Sequence, residues 1–124
     1  MRIWPLIAGI AGLAAAAVQM LRGQDGLPRM AGQLAHPAQG AMIEIVWHSL
    51  TGLMFVLAAG LLVSAGAGKP AGRIIGWLGA AGFGWITAVH FAKAHAALGD
   101  PFAFYPVWFS GVAAVLSAVA AMRR

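Results

Sequence analysis

Glu44 and His48 stand four residues apart in a stretch that is otherwise almost wholly apolar. On a helix that spacing puts a carboxylate and an imidazole on one face, and Thr51 and Phe55 continue it. A second apolar run carries Thr87, His90 and Lys93, with His95 just beyond. These types permit four kinds of chemistry. Carboxylate and ammonium can neutralise each other while imidazoles and hydroxyls hydrogen-bond across a helix pair and hold it together. Two imidazoles on facing helices, His48 and His90, can ligate a b-type haem. Imidazoles with a carboxylate, drawn from His48, His90, His95 and Glu44, suit a divalent metal such as zinc or copper. A layer of ionisable groups can also pass protons or ions, although the inner halves of these helices hold almost no polar residue to continue such a path.

Other chemistry lacks its residues. There is no Ser–His–Asp order, phosphate-cradling glycine loop or paired carboxylate, so hydrolysis and phosphoryl transfer are not expected. With no cysteine, thiol nucleophiles, thiolate metal sites and disulfides are excluded. His36 reads as a solvated loop histidine and His95 as an interfacial one. Gln19 reads as a local cap, and the six dispersed methionines as packing.

The elements that position these residues follow from composition. Of 124 residues 61% are hydrophobic and 9% charged, with mean hydropathy +0.83. A soluble domain carries about 25% charged residues, so the solvent expected here is lipid. The +5 charge is spread over helix ends without a basic run, which excludes nucleic acid as a partner. The expectation is an all-α membrane protein, a single domain forming a four-transmembrane-helix up-down bundle, with spans at about residues 3–21, 41–65, 73–98 and 102–122. The small residues at 14–17 would also suit a cleavable leader, but the length of the first run is that of a spanning helix, and it is expected to be retained. Residues 22–40 form the longest polar segment. Asp25 ahead of Pro28, followed by Leu27, Met30 and Leu34 on one edge, predicts a short interfacial helix in the first outer loop, ended by His36-Pro37.

Small residues suggest the packing faces. Ala8, Gly9, Gly12 and Ala16 make one on the first helix, and Gly72, Gly76, Ala80 and Gly84 recur every four residues on the third. Helices two and three are joined by a short turn at Lys69-Pro70, so they are expected to be antiparallel neighbours. Residues equidistant from that turn then lie at equal depth. This pairs Glu44 with Lys93, His48 with His90, and Thr51 with Thr87 in three successive polar layers. Four spans put both termini on one side, with Arg2, Lys69, Arg73, Arg123 and Arg124. The other side holds Arg22, Arg29 and Lys93 with every acid: Asp25, Glu44 and Asp100. The excess of positive charge places both termini in the cytoplasm.

The segment Trp47-His48-Ser49-Leu50-Thr51, with Gln19 closing the first helix, resembles a Trp-His-x-x-Thr feature of small uncharacterised four-helix proteins of the bacterial inner membrane. The resemblance implies four helices and that membrane, and no activity. The functional expectation is a non-enzymatic accessory or assembly subunit, embedded in the bilayer and packed against a larger membrane complex or against copies of itself, with no cofactor. A His-ligated bundle holding haem b or a divalent metal is the alternative, and a small transporter or channel the second alternative.

Overall fold

The computed structural model describes residues 2–123. It has four helices, α1 (Ile3–Gly32), α2 (Pro37–Ser64), α3 (Lys69–Leu98) and α4 (Tyr105–Met122), with no strand among the described residues. All four are long and apolar enough to cross a membrane. Side-chain contacts fix the up-down order. Gly9 meets Leu62 and Gly23 meets Trp47, so α1 and α2 run antiparallel. Gly76 meets Ala121 and Thr87 meets Ser110, so α3 and α4 do too. Arg123 lies over Trp4 at one end and Arg22 over Tyr105 at the other, which sets α1 against α4.

Phe83 is the hub of the core. It is fully buried, and its ring reaches from α3 to the backbone of Gly12 on α1, beside Ala58 of α2. Only a glycine at position 12 leaves room for it, because a Cβ there would stand 2.9 Å from the ring. Met54, Leu61 and Ile86 fill the space around it with alanines from α1, α2 and α4. The α2–α3 seam is the thinnest of the four joins between neighbouring helices. In its inner half Leu57 lies against Gly82 and Leu61 against Gly79, the depth match expected from a short turn.

Several expectations are corrected. No separate interfacial helix forms; α1 runs unbroken through Pro28 to Gly32. An internal proline removes one helix hydrogen bond and costs roughly 3 kcal/mol. Here the upper part of α1 is held by packing: Gly23 lies beneath the Trp47 indole, and Leu27 is buried. Tertiary contact outweighs the local breaker. Helix α2 starts four residues earlier than expected, with Pro37 in its first turn and His36 as N-cap, whose Nδ1 accepts from the Ala38 amide at 3.4 Å. Pro70 likewise opens α3 from Lys69. Helix α4 starts three residues late. Gly99, at φ 71°, ends α3, and the Asp100 carboxylate accepts from the Phe102 amide at 2.9 Å, so residues 101–104 turn before Pro106 sets the new helix.

The glycine stripe of α3 is half right. Gly72 and Gly76 are buried, and a Cβ on Gly76 would stand 2.8 Å from that of Ala121. Gly84 has nothing within 4 Å. Steps of four residues advance about 40° beyond a full turn, so a strict four-residue repeat leaves the contact face within three steps. The true seam continues through Gly79, Phe83 and Ile86.

Candidate functional site

Rotation of the helices, more than depth, decides which polar side chains meet. Helix α2 turns Trp47, Thr51, Met54, Ala58 and Leu61 towards its neighbours. His48, one residue past Trp47 and so about 100° around the helix, is exposed on the outside. Glu44 is half-buried and Lys93 exposed, and the two form no ion pair. Thr51 spends its hydroxyl on its own helix, donating to the Trp47 carbonyl at 2.9 Å. Thr87 faces α4, where its Oγ lies 2.9 Å from that of Ser110. The three expected layers of Glu44–Lys93, His48–His90 and Thr51–Thr87 are therefore not assembled. His48, His90, His95 and Glu44 do not come together as a metal-holding group among the described residues. With His48 outside and His90 turned inward, the pair does not fit a haem between them.

A different set of residues converges at the end of the bundle opposite the termini. Trp47 of α2, His90 of α3 and Tyr105 of α4 line one cleft of about 370 Å³, with Met30, Phe104 and Pro106 as its apolar walls. An adjoining cleft of about 410 Å³ shares Trp47, Tyr105 and Met30 and reaches Arg22 and Gly23 on α1. The difference in helix length opens this end. Helix α1 has 30 residues, about 45 Å, while α4 has 18, about 27 Å, so α4 begins well short of its neighbours' ends.

The polar atoms here are unusual. The Trp47 Nε1, the Tyr105 hydroxyl and both amide atoms of Gln19 are buried without a hydrogen bond inside the protein. A buried polar group left unpaired costs about 1–3 kcal/mol. Gln19 is 1% exposed and lies one turn from Gly23 on the same face of α1, so it is not the local cap that its position suggested. The His90 Nδ1 lies 2.8 Å from the Ile86 carbonyl. A carbonyl can only accept, so in the neutral ring Nδ1 carries the proton and Nε2 keeps a free lone pair. The Arg22 guanidinium stacks over the Tyr105 ring, 5.5 Å from its centre, and marks the rim.

Only His90 of this set was singled out from sequence. The signal for Gln19 was there: Ala8, Gly12, Ala15, Ala16, Gln19 and Gly23 follow helical spacing, which carries the small-residue face straight to the glutamine. Trp47 entered the sequence reading only as the first residue of the Trp-His-x-x-Thr segment, and Tyr105 did not enter it as a site residue. A larger groove of about 460 Å³ between α3 and α4 is lined by apolar side chains and Thr87, and holds none of the unpaired atoms. No family model, curated protein or solved structure matches this chain.

Proposed function

We propose that the protein is a non-catalytic accessory subunit of a bacterial inner membrane, crossing it four times with both termini in the cytoplasm, and that it assembles through the outer face of α2 with a second copy of itself. The observation that carries this reading is the exposure of His48 and Ser49 beside Gly52, which has nothing within 4 Å, on a helix whose other outward residues include Ile45, Leu53, Val56 and Val63. Polar side chains on such a surface are expensive in lipid, and a glycine beside them lets another backbone come close. The patch holds no full charge on His48 when neutral, and imidazole both donates and accepts. Two copies brought face to face can thus satisfy each other without like-charge repulsion. The orientation is supported by the basic residues Arg2, Lys69, Arg73 and Arg123, which gather at the end of the termini, as the positive-inside rule requires.

The chain has no cysteine, so Gly52→Cys introduces a single thiol. Oxidation in lipid nanodiscs or native membranes is expected to give a disulfide dimer, with Gly26→Cys on the α1 surface as the negative control. A cross-link from position 52 to a different protein would assign the face to a larger complex. A monodisperse 12.8 kDa monomer in lipid, with neither cross-link nor partner, would overturn the reading.

A further inference from the structure

We propose that the cleft around Trp47, His90 and Tyr105 binds one lipid molecule whose uncharged head both donates and accepts hydrogen bonds, with its chain lying in the groove between α2 and α3. Hydrogen-bond complementarity identifies the head. The Trp47 Nε1 can only donate, the His90 Nε2 in the neutral ring can only accept, and the Tyr105 hydroxyl can do both. Neither the indole nor the phenol finds a partner within the protein. A hydroxyl head satisfies all three, accepting from the indole and the phenol and donating to the imidazole. Water could satisfy them one by one, but the walls made by Met30, Phe104 and Pro106 favour an apolar body behind the polar atoms.

Continuity identifies the chain. Trp47 and His90 also line a groove of about 370 Å³ on the outer side of the bundle, where Met42, Val46, Leu50 and Val89 supply an apolar bed. Val46 and Met42 are 63% and 67% exposed, so this groove opens sideways to whatever surrounds the helices. The groove exists because the α2–α3 seam, closed by Leu57 and Leu61 lower down, parts above Leu50. A molecule can therefore lie with its head among the three polar groups and its tail along the seam.

Charge identifies what the head is not. No carboxylate, ammonium or guanidinium lines the inner cleft. Arg22 touches only the adjoining one, at the rim. A charged head placed on the Trp47–His90–Tyr105 floor would be desolvated without a counter-ion, which is costly.

The test uses the full chain in nanodiscs of phosphatidylcholine, with 1-monooleoylglycerol as the uncharged probe and phosphatidylglycerol as the anionic one. Native mass spectrometry is expected to show one monooleoylglycerol retained per chain, with affinity falling roughly tenfold in Trp47→Phe and again in Tyr105→Phe, the loss of one hydrogen bond each. Neither variant removes a hydrogen bond from the protein itself, but Trp47→Phe also trims the indole packed on Gly23, so only Tyr105→Phe is expected to melt no lower than the parent without the probe, while both lose the rise in Tm that the probe gives the parent. Equal retention by parent and variants, preference for phosphatidylglycerol, or no retained lipid at all would each overturn the proposal. A fall in the melting temperature of Tyr105→Phe without probe would also overturn it, since the phenol hydroxyl would then be structural.

Discussion

The indole of Trp47 lies directly on the backbone of Gly23, and a methyl group added at position 23 would overlap its Nε1. This contact joins the upper halves of α1 and α2 and carries α1 past its internal proline. Gly23→Ala is expected to lower stability by roughly 1–3 kcal/mol, the usual penalty of overfilling a packed contact. Gly26, three residues on, has nothing within 4 Å. There Gly26→Ala is expected to stabilise slightly, by up to about 1 kcal/mol of helix propensity. Thermal unfolding of the two variants side by side checks both signs.

The α3 glycines give a similar contrast. Gly76→Leu has to displace Ala121, whose backbone nitrogen and Cα lie 3.0 Å from where its Cβ would be. It is expected to separate α3 from α4 and to unfold the bundle at markedly lower temperature. Gly84→Leu, pointing into open space, is expected to leave the melting temperature almost unchanged. Equal effects at both positions would show that the stripe had been placed on the wrong face.

Thr87 and Ser110 make a side-chain hydrogen bond between α3 and α4 in the interior. Each hydroxyl also reaches a carbonyl of its own helix, Phe83 and Pro106 respectively, so two protons serve three contacts. Whichever hydroxyl donates across the seam releases its own carbonyl. A double-mutant cycle of Thr87→Val and Ser110→Ala is therefore expected to give a coupling of about 0.6 kcal/mol, at the modest end for polar pairs between membrane helices.

Glu44 and Lys93 do not pair, so their substitutions are expected to add. The stability loss of Glu44→Gln with Lys93→Met should equal the sum of the single losses within about 0.5 kcal/mol, as for independent sites. A double variant clearly more stable than that sum would show that the two charges meet.

The fold was legible because its determinants are local. Uncharged runs of spanning length, the prolines and glycines between them, and the chain's low charge specify four helices. The short turns specify antiparallel neighbours, and the inner half of the α2–α3 seam confirms the expected depth: Leu57 does face Gly82. The polar site was not legible, because pairing also depends on how far each helix is rotated about its axis. In a chain apolar on every side, hydrophobic period does not mark the inward face. The marks that remain are the smallest residues, and these speak only in sets. Gly9, Gly12 and Gly23 admit Leu62, Phe83 and Trp47, and these three contacts fix the rotation that turns His48 outward. The boundary at residue 22 failed for a related reason. Asp25 and Pro28 signal a new helix locally, while the Trp47–Gly23 contact that keeps the old one going links residues distant in the chain.

Phe83 has one more consequence. Its ring crosses the bundle axis from α3 to α1, with Met54, Ala58 and Leu61 packed beside it, all of them at most 2% exposed. A membrane that stores a proton gradient must not leak, and any helical bundle set in it is a weak point of its insulation. Here the axis is stoppered by a fully buried aromatic ring packed against a glycine. In a chain that crosses a membrane, ions would have no file of water to follow along that axis.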